Sequence, residues 1–305
     1  MRVLLLFALA ACAEAGTYYV TVAGLGGEPE FEQRFTGLAK EIDGLLKQSA
    51  GAARIETLSG ATATKARLSE VLQSMARGAN AQDGLVIMLI GHGTFDGADY
   101  KFNLPGPDVS ASELAGFMDK FPGQQLVVNM TSASGGSLNG LKKPGRAVIM
   151  ATKSGTEKNA TVFARYWAEA LRDSACDVDK NEIISALEAY RYAVTKTAAF
   201  YEKAKRLATE HAQVEDTGKG EAVRDPSVEN GQGALVSRFA MLRIGKAQQA
   251  ASSPEKRKML ERKEQLEQQI AQLKYQKAAM PSDQYRKQLS ALLVELAQVQ
   301  AEIDR

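Results

Sequence analysis

The stretch from Asp83 to Gly136 constrains this chain most. It opens D-G-L-V-I-M-L-I-G-H-G, passes through the helix-like S-A-S-E-L-A-G-F-M-D-K at Ser110–Lys120, and closes Q-Q-L-V-V-N-M-T-S-A-S-G-G. Two apolar runs, Leu85–Ile90 and Leu126–Val128, are too short for buried helices and rich in Val, Ile and Leu. They predict buried strands of a parallel sheet joined by a helical crossover. Each run ends in a turn of small residues that carries a chemical group. His92 stands between Gly91 and Gly93, and Ser132 precedes Gly135 and Gly136. Ligands of open α/β sheets bind at the carboxyl ends of the strands, so neighbouring loops there would bring His92 and Ser132 towards each other.

The flanking sequence continues the pattern. Tyr18–Ala23 is a strand leaving into Gly24-Leu25-Gly26-Gly27, whose spacing is not G-x-G-x-x-G and whose Pro29 stands where a phosphate-binding helix would open. Phe31, Phe35, Leu38, Ile42, Leu45 and Leu46 recur at helical spacing, Arg54–Leu58 is a second strand, and Thr64–Ala76 a second helix. With Arg146–Ala151 as a fifth strand and a helix over Ala160–Leu171, the alternation implies a parallel-sheet sandwich with helices on both faces. Net charge is +2, from 38 basic and 36 acidic residues. No basic block with interleaved aromatics occurs, which argues against a nucleic-acid partner.

A strand ending in G-H-G, followed by a strand ending in x-x-S-x-S-G-G, resembles the caspase, legumain, clostripain and gingipain clan of cysteine peptidases. Ala61-Thr62-Ala63-Thr64-Lys65 and Arg146–Thr152 fit the same order of elements, so the resemblance spans about Thr17 to Leu171. It implies a caspase-like fold with His92 as one catalytic residue and Ser132 where the clan has its nucleophilic cysteine. It also implies an oxyanion hole from the backbone amides of Gly93 and Ser132. Polar Lys153–Asn159 follows the fifth strand, where the clan builds its substrate pocket, and Glu157 there would favour a basic side chain. Read from its residues alone, the same loop is solvated and caps the helix after it. The thiol is missing, and that dominates the reading of activity. A thiolate forms easily beside an imidazole, whereas serine needs an oriented base and an oxyanion hole. Asp96 and Asp99 are the local candidates to orient the ring. The expectation is a catalytically impaired or inactive homologue that acts as a binding or scaffold protein for a peptide or protein ligand. The alternative is an active hydrolase with a Ser132–His92 dyad.

Beyond residue 172 the character changes. Asp177, Asp179 and Asn181 fall at positions one, three and five of an EF-hand loop, with Ile183 offering a carbonyl at seven, Ser185 at nine and Glu188 at twelve. Position six is Glu182 where the turn normally takes Gly. The loop reads either as a Ca2+ site or as a capped helix N-terminus. A long helix is expected from Ile183 to about Ala212, and a returning helix over Ala234–Ile244. Met259, Leu266, Leu273 and Met280 are spaced by seven, as are Tyr285, Leu292 and Val299, with Pro281 between the two runs. That predicts an antiparallel helical hairpin. Glu261, Arg262, Lys263, Glu264 and Glu267 are expected on its solvated face, with Lys263 and Lys277 leaving room in the seam for self-association or a protein partner.

Residues 1–15 read as a signal peptide, with Ala13-Glu14-Ala15 as a cleavage site and Leu9-Ala10-Ala11-Cys12 as a lipobox. Export to a periplasmic or extracellular location follows, with membrane contact only through a lipid on Cys12. Cys12 and Cys176 are the two cysteines, which excludes a disulfide framework in the cleaved chain. The expected organisation is 16–172 for the α/β domain, 173–250 for a helical extension and 254–305 for the hairpin.

Overall fold

The computed structural model describes residues 16–49 and 52–304; the expected signal peptide, Cys12 included, lies outside the described residues. β1 (Thr17–Ala23) runs into α1 (Pro29–Gln48), then β2 (Ala52–Leu58), α2 (Lys65–Gly78) and β3 (Gly84–Ile90). Proline opens α1, and Glu30, Glu32 and Lys47 complement its dipole. The Thr64 hydroxyl caps α2 by accepting the Arg67 N–H at 3.2 Å. Where the sequence reads as a polar link, the chain builds a small antiparallel sheet: β4 (Gly93–Phe95), β5 (Tyr100–Phe102) and β6 (Val109–Ser110). A capping box of Ser110 and Glu113 starts α3 (Ala111–Met118). The chain continues through β7 (Gln124–Asn129), α4 (Leu138–Leu141), β8 (Arg146–Met150) and α5 (Phe163–Arg172). The remainder is β9 (Ile183–Ser185), α6 (Ala186–Lys203), β10 (Gln213–Glu215), β11 (Ala240–Arg243), α7 (Gly245–Ser252), α8 (Pro254–Gln276) and α9 (Ser282–Ile303).

The main sheet has the order β10-β8-β7-β3-β1-β2. Its inner pairs are parallel, and β10 joins β8 antiparallel. Alternating side chains divide the core by face. Val86, Met88, Ile90, Leu126, Val128 and Ile149 pack with α1, α5 and α6. Leu85, Ile87, Leu89, Val127 and Val148 pack with α2 and α3. The expected α/β sandwich with helices on both faces is therefore present, and the C-terminal hairpin with it.

Three expectations are corrected. The helix expected from Ile183 to about Ala212 is shorter at both ends: Ser185 and Glu188 make a capping box that starts α6 at Ala186, and Lys205, at φ +50°, follows its last residue, Lys203. Residues 204–212 then lead, without regular structure, to the edge strand β10. Ala234–Ile244 is not a helix but a 3-10 turn (Val236–Arg238) and β11, which pairs antiparallel with β9. Finally, α8 is not solvated along its charged face. Glu264 pairs with Arg243 at 2.7 Å, and Glu267 accepts from the Asn181 amide at 3.2 Å. Lys263, 8% exposed, donates to the Asn181 carbonyl at 3.0 Å. The room left by the lysine in the seam is filled by the chain's own acidic loop. Residues of the 173–250 stretch, among them Ile184, Tyr190, Val214 and Met241, share the core of the main sheet.

Candidate functional site at the carboxyl edge of the sheet

Because β1, β3, β7 and β8 are parallel, the loops that follow them meet along one edge, and β10 enters from that same edge. The two glycine-flanked turns touch there. A Cβ on Gly93 would lie 2.5 Å from the Ser132 carbonyl oxygen, and one on Gly135 would lie 2.2 Å from the Ser154 nitrogen. Glycine at both positions is thus dictated by backbone approach.

Ser132 is 2% exposed. Its Oγ accepts the Gly93 N–H at 3.1 Å and donates to the Gly93 carbonyl at 3.1 Å. The hydroxyl's one proton is therefore directed at the Gly93 carbonyl, and the N–H expected to stabilise an oxyanion is held by Ser132 Oγ. Ala133 follows at φ +54°, a left-handed conformation costing about 1 kcal/mol for a residue with a Cβ, and its N–H donates to the Glu157 carbonyl at 2.7 Å. Neighbouring hydroxyls are also engaged. Thr131 Oγ1 bonds Tyr100 at 2.6 Å, and Ser134 Oγ bonds Thr152 Oγ1 at 3.1 Å.

His92 is half-buried against α1. Its ring meets Phe31 and Phe35 edge-to-face, with centroids at 4.7 and 5.1 Å. Burial pushes its pKa below the ordinary 6.5, Arg34 lowers it further, and the Gly26 backbone and the Glu28 charge offset only part of this. The imidazole is neutral at pH 7. Among the described residues no hydrogen bond links His92 to Ser132. Asp96 does not orient the ring; its Oδ1 accepts the amides of Ala98 and Asp99 and closes the β4–β5 turn.

Glu157 is held by the chain as well. It accepts the Lys153 N–H at 2.9 Å and the His211 N–H at 3.2 Å, and it meets His211 Nδ1 at 2.5 Å. His211 is the functional-type residue that sequence reasoning missed, because 204–212 reads as helix. Next to it, Glu210 supplies the cap of α5 expected from the loop: its oxygens accept the Val162 and Phe163 amides at 2.8 and 3.1 Å.

The second candidate centre is the 177–188 loop. One carboxylate oxygen from each of Asp177, Asp179 and Glu188 lies within 4.8 Å of the others. Asn181 Oδ1 accepts the Ile183 N–H at 2.8 Å, and the Ser185 hydroxyl donates to Glu188 at 2.8 Å. Glu182 takes the left-handed backbone that position six requires, at φ +67°. Its side chain offsets that strain by accepting the Ala247 N–H at 2.8 Å in the first turn of α7. Burial raises the Asp179 carboxyl above its usual value, and the charges of Glu188 and Asp177 add to the effect. Hard oxygen donors at this spacing, with the backbone already turned as a cation loop needs, fit Ca2+. Burial, then the charges of Glu188, Asp173 and Asp177, push the thiol of Cys176, beside this loop, up to about 12.

No catalogued protein family matches the chain, and no curated protein sequence does. Among solved structures it is similar to a caspase-1 from Spodoptera frugiperda, with 11% identity and a TM-score of 0.47 over 67% of this chain and 89% of that one. It is also similar to a protein of Geobacter sulfurreducens, with 10% identity and a TM-score of 0.46 over 76% of this chain and 100% of that one.

Proposed function

We propose that the chain is a caspase/legumain-type peptidase homologue that does not turn over substrate and acts by binding a peptide or protein at the carboxyl edge of its sheet. The observation that carries this is the double hydrogen bond between the Ser132 hydroxyl and the Gly93 backbone. A serine in that position must give its proton to a base. Here the proton is directed at a carbonyl, and the only nearby imidazole of the sequence pattern packs against Phe31 and Phe35. Both the missing thiol and the misdirected hydroxyl favour binding over hydrolysis.

In this reading the protein is exported, with Cys12 as a lipid anchor, and the 177–188 loop takes Ca2+ as a structural ion that braces β9 against β11. No described helix is long and apolar enough to cross a membrane. The hairpin is the association device, since α9 keeps Leu293 and Val294 exposed, at 47% and 59%. The test is hydrolysis of a peptide library by wild type, Ser132→Cys and His92→Ala. The proposal expects no turnover by wild type and a gain in Ser132→Cys. Wild-type turnover lost in both Ser132→Ala and His92→Ala would establish the dyad instead.

A further inference from the structure

Past the candidate cleft, a cavity of about 290 Å3 opens between the C-terminal half of α6 and the 204–212 segment. His211, Thr197, Arg206 and Arg224 line it together with Val194 and Ala198. Thr197 is 6% exposed, and its Oγ1 is buried with no hydrogen-bond partner. A buried hydroxyl without a partner is unfavourable, so this wall carries an unanswered polar demand. Neither the Arg206 nor the Arg224 guanidinium makes an ion pair or side-chain hydrogen bond among the described residues. The lip of the cavity carries Leu207, 91% exposed.

Two carboxylates stand in the same wall and must be accounted for. Glu210 is bonded to the Val162 and Phe163 amides and to the Tyr201 hydroxyl at 2.9 Å. Its negative charge therefore sits on the positive end of α5, and burial, opposed in part by these bonds, raises its pKa. Glu202 is exposed at the rim. The lining is then two exposed arginines at the mouth, the buried Thr197 hydroxyl without a partner, His211, and the apolar Val194 and Ala198. Guanidinium forks match a carboxylate in two-pronged geometry. Val194 and Ala198 suit a short alkyl stem, and the volume lies near the lower limit of small-ligand pockets.

We propose that this cavity binds a carboxylate carried on a short apolar stem, supplied by a free alkanoic acid or by the C-terminal residue of a peptide. The site is separate from Ser132 and stands whether or not the cleft is catalytic. The test uses the full chain and follows the two histidine ring signals by NMR during titration with hexanoate, with a leucine-terminated tripeptide acid, and with the same tripeptide amidated. The expected result is a saturable shift of the His211 signal with hexanoate or the tripeptide acid, none with the amide, and an unmoved His92. Saturation by hexanoate alone assigns a free acid; saturation by the peptide acid alone assigns a chain terminus. Arg206→Ala and Arg224→Ala are each expected to weaken binding at least tenfold. Thr197→Val is expected to weaken it several-fold without lowering Tm. No saturable shift with either acid, equal binding of the amide, or unchanged affinity in both arginine variants overturns the proposal.

Discussion

Removing the Ser132 hydroxyl separates a structural serine from a catalytic one. In Ser132→Ala the volume change is small, so no cavity term enters, and the loss comes from Gly93. Its buried N–H and carbonyl each lose the partner they hold at 3.1 Å. An orphaned buried group costs about 1–3 kcal/mol. With partial relaxation of the turn, the two together come to about 2–4 kcal/mol. For a chain of 305 residues that corresponds to a Tm lowered by roughly 3–6 °C. Calorimetry or urea unfolding reads the change directly, and the urea m-value should stay constant. A serine kept for nucleophilic attack has no such duty, and its removal is commonly neutral or stabilising. An unchanged or raised Tm in Ser132→Ala would refute the reasoning that this hydroxyl belongs to the fold.

Calcium is expected to raise Tm, by an amount equivalent to about 2.7 kcal/mol at a hundredfold excess over Kd; EGTA should reverse it and Glu188→Gln should abolish it, and a wild-type Tm indifferent to chelator would remove the ion from the account. His92 is held below 6.5 by burial and then by Arg34, so on acidification the unfolded chain takes up the proton first. Stability should therefore fall as pH drops through 6.5 and level off once the folded ring is protonated; urea titrations of His92→Gln should lose that slope, and an equal slope in both would contradict the burial of the ring. On the outer face of α9, Val294→Lys is expected to convert a self-associated species to monomer in sedimentation, whereas a wild-type monomer at all concentrations would exclude association through this face.

The sheet was legible because buried parallel strands are short continuous apolar runs, and Leu85–Ile90 admits no other element between its turns. Gly93 and Gly135 were legible as motif glycines, but their reason, backbone contact across two loops, needs the third dimension. The same holds for Ser132: the topology brings its turn to Gly93, whereas the rotamer that aims Oγ at the backbone is fixed by packing. Residues 204–212 misled because Ala, Leu, Glu and His all tolerate a helix. What ends α6 is a left-handed Lys205 and the attraction of Glu210 to the first turn of α5, 47 and 48 positions away in sequence. Lys263 and Glu267 were read as solvated because a heptad pattern anticipates one partner helix. It does not anticipate an acidic loop docking on the other side.

The central claim is that Ser132 is not a nucleophile, and its most direct test is intact-protein mass spectrometry after incubation with a fluorophosphonate. The account predicts an unmodified wild-type chain at pH 7 and 8. An adduct of one equivalent that maps to Ser132 and disappears in His92→Ala would contradict it.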